Sequence, residues 1–211
     1  GMEYNWIKNG TILDEKAEEI YVCSQYIQIY SLEGKYKRTL KIDCFDHDMK
    51  IIDYNDESLL IYDDVVIEPG REKQTVQTPY RFVSKKDGST LSTLNLHFPR
   101  RNSNAVARQE ENGWYPFQFY YPHNMHYGSD IMIMDLLCDT LYQLSANKKL
   151  TPIFARKPSV YASEPKNVWT PLLTTDKFML FGTFILDFNT TGKKGIEFMY
   201  DFKTGQVKKV S

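Results

Sequence analysis

The sequence has 211 residues, with 26 Lys and Arg against 27 Asp and Glu, and a formal net charge of −1. It is 42% hydrophobic and 14% aromatic, which is more apolar surface than an intrinsically disordered chain carries. Because the charges balance, the chain lacks the net positive field that attracts nucleic-acid phosphates. The sequence therefore predicts a globular protein with no nucleic-acid partner. We expect a single domain over residues 2–211, with Gly1 as a residue left by tag removal.

Membrane and export signals are missing from the sequence pattern. A transmembrane helix needs about 20 consecutive apolar residues, whereas the longest apolar stretch is FMLFGTFIL at 178–186, which predicts a buried strand. The first twenty residues carry many charges and no apolar core of the kind that a secretion signal requires. We therefore expect no transmembrane segment, and the compartment stays open.

In chain order, the residue pattern predicts two short helices and many short strands. The helical candidates are 11–20 and 104–111, neither of which holds a long apolar stripe. The strands are rich in Ile, Val, Tyr, Phe and Thr and are separated by turn residues. They are predicted at 19–24, 26–32, 35–42, 49–53, 58–63, 80–84, 90–96, 116–121, 130–136, 141–144, 149–155, 168–174, 177–186, 196–202 and 206–210. The fold class is therefore predicted to be all-β.

One strand–turn–strand pattern recurs four times. The copies are 26–42, 80–96, 131–145 and 196–210. Glycine occupies the turn in three of them, and Cys138-Asp139 takes that place in the third copy. A repeat of roughly 40–50 residues with four antiparallel strands is typical of a β-propeller blade. The alternative is an antiparallel β-sandwich whose hairpins are alike by chance.

Several segments resemble a known family. The sequence IYVCSQYIQIYSLEGKYKRTLKI at 20–42 resembles the outer part of a blade in NHL-like, six-bladed β-propellers. Segments 80–96, 130–154 and 157–165 are similar to those of six-bladed propeller proteins of Bacteroides and relatives. The resemblance implies a ring of four-stranded blades, on periplasmic or cell-surface proteins.

The length of the chain modifies that implication. Six blades of about 45 residues need roughly 270 residues, so this chain would hold about four or five blades. These would either close as a small ring or form an incomplete ring with open edges. Exposed strand edges favour pairing with other chains. We therefore expect a homo-oligomer formed through unclosed blade edges.

Aromatic, histidine and arginine side chains are concentrated in the middle of the chain. Aromatic faces stack on sugars and flat ligands, and histidines donate hydrogen bonds. Arginine forks suit carboxylates or phosphates. The predicted ligand-binding residues are Trp114, Tyr115, His123, His126, Arg100 and Arg101. The simpler alternatives are core packing for the aromatic stretch and a solvated loop around the arginines.

Metal and nucleophile chemistry have weak support. The loop at 43–48 carries Asp43, Asp46, His47 and Asp48, but it lacks the order of a calcium-binding loop, and a solvated acidic turn is the simpler interpretation. The three cysteines, Cys23, Cys44 and Cys138, are widely spaced without a C-x-x-C pair, which predicts buried thiols. No nucleophile or phosphate-loop motif occurs. The sequence predicts no cofactor, no metal site and no catalytic residue that spacing can nominate.

These observations favour a non-enzymatic binding module over an enzyme. The ligand would be a protein, a peptide or a glycan held at the rim or channel of a propeller. The alternative is a glycan- or lactone-directed hydrolase or lyase with a metal-assisted site, built from the 43–48 loop together with His123 or His126. Both functions depend on analogy with the fold.

Overall fold

Eighteen short strands make up the computed structural model, which describes residues 11–23, 26–42, 49–63, 77–98, 101, 105–118, 124–162, 164–190 and 195–210. The strands are β1 (Thr11–Asp14), β2 (Glu19–Cys23), β3 (Ile27–Ser31), β4 (Tyr36–Leu40), β5 (Met49–Asp53), β6 (Ser58–Asp63), β7 (Tyr80–Ser84), β8 (Thr90–Thr93), β9 (Ala105–Glu110), β10 (Gly113–Gln118), β11 (Asn124–Tyr127), β12 (Asp130–Ile133), β13 (Thr140–Leu144), β14 (Leu150–Ala155), β15 (Asn167–Thr174), β16 (Phe178–Ile185), β17 (Glu197–Asp201) and β18 (Val207–Lys209). Single 3-10 turns lie at Val160–Ala162 and Phe188–Thr190. Within these ranges, no helix is long and apolar enough to cross a membrane.

The strands form four antiparallel meanders, in which neighbours in sequence are neighbours in the sheet. We name them blade 1 (β1–β4), blade 2 (β5–β8), blade 3 (β11–β14) and blade 4 (β15–β18). Strands β9 and β10 form a separate two-stranded sheet, the β9–β10 hairpin. The predicted all-β fold of four-stranded, propeller-type blades is confirmed. Closure of a ring, and a single domain over residues 2–211, stay predictions.

Both predicted helices are wrong, because short hairpins take their place. Residues 11–20 contain β1, a turn and the start of β2. The Asp14 carboxylate accepts a hydrogen bond from the backbone N–H of Ala17 (3.0 Å), and Glu18 adopts a left-handed conformation with φ of 52°. This side-chain cap competes with helix formation. The second candidate, 104–111, is β9 and its turn, where cross-strand pairing to β10 overrides the helix propensity of its residues.

The strands pack into apolar cores within two compact units. Blades 1 and 2 belong to the first unit, and the β9–β10 hairpin with blades 3 and 4 belongs to the second. In the first unit, side chains of blade 1 such as Tyr21 and Ile29 pack against Leu59 and Ile61 of blade 2. Burial of these apolar surfaces is the main favourable term in folding. The same core therefore fixes how the loops of blades 1 and 2 meet.

In the second unit, an aromatic cluster joins blades 3 and 4. The rings of Trp169 and Phe154 lie 5.2 Å apart, and those of Phe181 and Phe198 are stacked at 5.4 Å. Phe202 packs against the same cluster. Aromatic pairs at such distances contribute beyond the area that they bury. Phe202, in the β17–β18 turn, thus packs into the core that blades 3 and 4 share.

The outer strand forms one edge of each sheet. In three of the four blades this strand contains a lysine or a proline, which opposes pairing with a further strand. Lys37 lies in β4, Pro152 in β14 and Lys208 in β18. Lysine and proline are the residues by which natural sheets protect their edges. The self-association expected through unclosed edges stays a prediction, and these residues disfavour it at β4, β14 and β18.

The repeated hairpin is present, but its third copy is shifted by one strand. In blade 1, Gly34 (φ 79°) donates its N–H to the Ser31 carbonyl (2.9 Å). The equivalent donor in blade 3 is Lys148 (φ 64°), bonded to Ser145 (2.9 Å). The outer hairpin of blade 3 is therefore β13–β14, whereas the copy predicted at 131–145 spans β12–β13. Lys148 occupies the position at which the other copies have glycine, so no glycine marked this turn in the sequence.

Replacing Lys148 with glycine should stabilise the protein by about 0.5–1 kcal/mol. A left-handed backbone costs an ordinary residue roughly 1–2 kcal/mol, and glycine relieves this strain in the folded state. Glycine also makes the unfolded chain more flexible, which offsets part of the stabilisation. Urea unfolding followed by circular dichroism measures the change. Lys149→Gly, at the next residue, serves as the control and should lower stability. Equal destabilisation by both variants would contradict the assignment.

Candidate functional site

A charged cleft lies in the first unit, beside the β1–β2 turn and the β7–β8 turn. Its volume is about 540 Å³, within the range of small-molecule sites. We name it the charged cleft. The residues that determine its chemistry are Asp14, Glu19, Tyr21, Arg38, Lys85 and Lys86.

Glu19 is the most heavily bonded acid of the cleft. Its Oε1 accepts from Arg38 Nη1 at 2.5 Å and lies 2.7 Å from Lys37 Nζ. Its Oε2 accepts from Arg38 Nη2 at 3.0 Å and from the Tyr21 hydroxyl at 2.9 Å. A carboxylate has about four acceptor positions. Glu19 is therefore saturated by its own protein.

These contacts fix the ionisation of the group. The hydrogen bonds from Arg38, with further help from Lys37 and Tyr21, outweigh the effect of burial and lower the pKa of Glu19 to about 2. Burial, followed by the hydrogen bond to Glu19, raises the pKa of Tyr21. At neutral pH Glu19 is an anion and Tyr21 is neutral. Neither group exchanges a proton near pH 7.

Glu19→Gln should make stability less sensitive to acid. Because the folded-state pKa of Glu19 is depressed, its stabilisation is present above the ordinary value of 4.5 and is lost as pH falls through about 2. The wild type should therefore have a higher free energy of unfolding than Glu19→Gln at pH 4.5, and this difference should shrink as the pH falls to 2. Urea unfolding at a series of pH values measures it. Glu15→Gln, in the exposed β1–β2 turn, should leave this slope unchanged. A constant advantage across the range would contradict the role of Glu19.

Lys85 is a buried ammonium held between two carboxylates. Its Nζ lies 2.5 Å from Asp14 Oδ2 and 2.9 Å from Asp53 Oδ1. The side chains of Lys85 and Asp14 are only 7% and 9% exposed. The Nζ atom also sits 5.6 Å from the centre of the Tyr21 ring, within the range of a cation–π contact. Burial opposes the charge, yet the bonds to Asp14 and Asp53 prevail and raise the pKa of Lys85.

The turns of blades 2 and 4 show that this lysine departs from the repeat. In both turns the glycine N–H donates to the residue four positions earlier, Gly88 to Ser84 and Gly205 to Asp201. Lys85 is thus equivalent to Phe202, which packs in an aromatic cluster. Blade 2 therefore has a buried cation at the position where blade 4 has a phenylalanine. A buried charge in place of an apolar residue is expected at functional or strained sites.

Of the sequence-predicted ligand residues whose side chains the structure describes, neither Tyr115 nor Arg101 lines this cleft. Tyr115, in β10, is 44% exposed. Trp114 and His126 belong to β10 and β11, and their side chains lie outside the described part of the structure, as do Arg100 and His123 entirely. The ligand-binding role of all these residues stays a prediction.

Arg101 has a structural partner. Its Nε donates to Asp135 Oδ2 at 2.8 Å, and both side chains are 1% exposed. Removing one partner of a buried ion pair is strongly destabilising, because it leaves the other charge uncompensated. The geometry thus assigns Arg101 a buried structural contact with Asp135.

The described residues also bear on the predictions about metal sites and thiols. Among them, no group of three His, Cys, Asp or Glu side chains could hold a metal ion. The acidic loop at 43–48 lies outside the described residues, so the metal-assisted alternative stays a prediction. Cys23 and Cys138 are buried, as predicted, and burial raises the pKa of the Cys138 thiol to about 11. Cys44 belongs to the undescribed loop.

Comparisons with known proteins bear on the fold. No protein-family model and no curated protein matches the sequence. A solved structure from Bacteroides fragilis NCTC 9343, named "Putative exported protein", matches 96% of this chain and 57% of its own, with 9% identity and a TM-score of 0.61. The likeness shows the fold alone. The chain spans little more than half the length of that protein.

Two lyase structures match more loosely. A virginiamycin B lyase from Staphylococcus aureus aligns with 100% of this chain and 72% of its own at 9% identity and a TM-score of 0.44. A streptogramin B lyase aligns with 100% and 70% at 10% identity and a TM-score of 0.38. Likenesses at this level carry no argument about activity. Membership of the six-bladed, NHL-like family stays a prediction.

Proposed function

We propose that the chain is a non-enzymatic binding module and that its ligand occupies the charged cleft. The observation that carries this proposal is the set of formed ion pairs that line the cleft, in which Glu19 is bonded to Arg38 and Asp14 to Lys85. The pKa of Asp14 is lowered, with the bonds from Lys85 and Ala17 outweighing burial. The pKa of Glu19 is also lowered, and the pKa values of Tyr21 and Lys85 are raised, so all of these shifts lead away from pH 7.

Such groups suit recognition better than proton transfer. An efficient general acid or base has a pKa near the working pH. A set of charges that stays constant around pH 7 instead presents an unchanging electrostatic pattern, and ion pairs that are already formed hold it rigid. Rigid polar groups in a cleft of this size favour orientation of a ligand.

Array capture tests this proposal directly. Labelled protein is applied to glycan and peptide arrays, and each captured compound is then incubated with stoichiometric protein and analysed by mass spectrometry. The proposal expects capture of at least one compound, recovered unchanged. It also expects weaker capture by Lys86→Gln, which alters the exposed rim of the cleft, and unchanged capture by Lys203→Gln at the equivalent turn position of blade 4. Conversion of the compound, or no capture at all, would overturn the proposal.

The β9–β10 hairpin supplies a second contact surface in this proposal. Tyr115 and Phe117 lie two residues apart in β10 and therefore on one face, and both side chains are at least 40% exposed. Next to Tyr115 across the hairpin is Arg108, whose guanidinium lies 4.6 Å from the centre of the Phe188 ring. Exposed aromatic faces of this kind stack on sugars.

Tyr115→Ala tests this second surface. We expect severalfold weaker capture of any glycan found on the arrays, with a melting temperature close to that of the wild type, because the side chain is nearly half exposed. Tyr36→Ala, an exposed tyrosine of blade 1, is the control. Unchanged glycan capture by Tyr115→Ala would rule out the hairpin as a separate binding surface.

A further inference from the structure

The two faces of blade 1 differ in charge. Because side chains alternate along a strand, the pairing of β1–β4 assigns their residues to one face or the other. One face packs against blade 2 in the core of the first unit. All the charged residues of these strands turn toward that face and form ion pairs there, namely Asp14, Glu19, Lys37 and Arg38. The opposite face therefore carries no charge.

We name that opposite side the uncharged face of blade 1. Cross-strand pairing places one row of apolar and aromatic residues across all four strands: Leu13, Ile20, Tyr30 and Tyr36. A parallel row beside it consists of Thr11, Val22, Gln28 and Thr39. At the two ends of the first row, Leu13 and Tyr36 are 54% and 58% exposed. A contiguous apolar patch on a protein surface marks an interaction site.

The tyrosine hydroxyls of this face bond within the face itself. The Tyr30 hydroxyl donates to Gln28 Oε1 at 3.2 Å, and the Tyr36 hydroxyl shares a hydrogen bond of 2.9 Å with Thr39 Oγ1. The rings of Tyr30 and Tyr36 pack edge to face, with their centres 5.9 Å apart. Covering a hydroxyl is costly when it loses its hydrogen bond to water. These hydroxyls keep their partners, so an apolar surface can cover them at low cost.

The absence of charge restricts the kind of partner that fits. A partner with charged side chains would lose their hydration here without gaining an ion pair. The matching surface is another uncharged sheet face, and a second copy of the chain carries one. In a symmetric dimer the same patch meets itself, so a charged patch would repel its copy, whereas this face does not. Stacking of sheets also continues the packing that joins blade 1 to blade 2.

The size of the face determines how strong such a contact is. Four strands about 4.8 Å apart, each with about five residues of 3.3 Å rise, cover roughly 300 Å² per copy. Stable interfaces bury at least about 1,200 Å² over both partners. Two of these faces bury about half of that area, which is the range of weak and transient contacts.

We infer that the uncharged face of blade 1 is a self-association site, at which two copies of the chain form a weak symmetric dimer. The row of each copy covers the uncharged face of the other. The site goes beyond the proposed ligand binding, because the charged cleft lies on the opposite side of blade 1. It also differs from strand addition at an edge, since the sheets stack without backbone hydrogen bonds between them.

Sedimentation equilibrium of the full chain, from about 10 µM to about 1 mM, covers the range of a weak dimer. The mean mass should rise from that of one chain toward that of two and stop there, because a symmetric contact closes at two copies. Added sodium chloride should not weaken the dimer, since salt screens only charges. The mass of one chain throughout, growth beyond two chains, or dissociation by salt would overturn the inference.

Variants that place a charge on the face locate the contact. Leu13→Lys should raise the dissociation constant about tenfold or more, because each copy then buries an ammonium against an uncharged surface. Tyr36→Lys repeats the test at the other end of the row. Both positions are more than half exposed, so the variants should keep the wild-type melting curve by circular dichroism. Wild-type dimerisation of both variants would contradict the inference.

Two control variants test the position of the contact. Leu91→Lys changes a leucine of β8 in blade 2 that is 51% exposed, and it should dimerise like the wild type. Leu173→Lys changes a leucine of β15 in blade 4 that is 47% exposed, and it should also dimerise like the wild type. Loss of association in Leu173→Lys would show a head-to-tail contact through blade 4 instead. Such a loss would overturn the symmetric dimer.

Discussion

Lys85→Met should lower the free energy of unfolding by about 3–5 kcal/mol, the range for breaking a buried ion pair by removing one partner. The variant leaves Asp14, 9% exposed, without the ammonium that it faces at 2.5 Å, and it also removes the partner of Asp53. Urea unfolding at pH 7 measures the loss. Because Asp14 and Lys85 come from different blades, the same change should loosen the contact between the β1–β2 and β7–β8 turns.

A second variant separates lost charge balance from lost packing. Adding Asp14→Asn to Lys85→Met should recover a large part of the stability, since the neutral amide is less costly to bury than an unpaired carboxylate. Lys86→Met, at the exposed neighbour, should stay within about 0.5 kcal/mol of the wild type. A single Lys85→Met variant as stable as Lys86→Met would show that the buried pair contributes nothing.

Arg101→Met should be comparably destabilising, by about 3–5 kcal/mol. Asp135 would then be a carboxylate at 1% exposure without the guanidinium bonded to it at 2.8 Å. The measurement is urea unfolding followed by tryptophan fluorescence, to which Trp169 of the same unit contributes together with the two other tryptophans of the chain. Arg108→Met is the control, because its ion pair with Glu110 is about half exposed and surface pairs contribute little.

The Arg101 variant also decides between two roles. The sequence-based interpretation places Arg101 in a ligand-binding loop, for which the variant would lose ligand capture and keep its stability. The buried pair with Asp135 predicts the reverse. A variant with wild-type stability and no capture would restore the binding role.

Three of the four strands of blade 2 could be predicted from sequence to the residue, whereas the fourth, predicted at 90–96, ends at Thr93. The predicted ranges 49–53, 58–63 and 80–84 coincide with β5, β6 and β7. They combine β-branched and aromatic residues with turn residues at both ends, so local propensity and packing agree. At 11–20 and 104–111, local propensity and packing conflict. The charged residues there have good helix propensity, but they form hairpins through cross-strand pairing.

The charged cleft could not be predicted in the same way. Asp14 and Lys85 are 71 residues apart in sequence, and each looks like an ordinary solvated turn residue when read locally. Only the fold brings them together. The available signal was the repeat itself, since aligning the turn glycines Gly88 and Gly205 places Lys85 opposite Phe202.

The guarded outer strands have a consequence for the behaviour of the protein at high concentration. A strand that approached β4 or β18 would have to bury the ammonium of Lys37 or Lys208, and one that approached β14 would meet a proline without an N–H. Fibril growth by templated strand addition therefore finds few starting points along these edges. At β4, β14 and β18 we therefore expect contacts between molecules to form through side chains rather than through added strands.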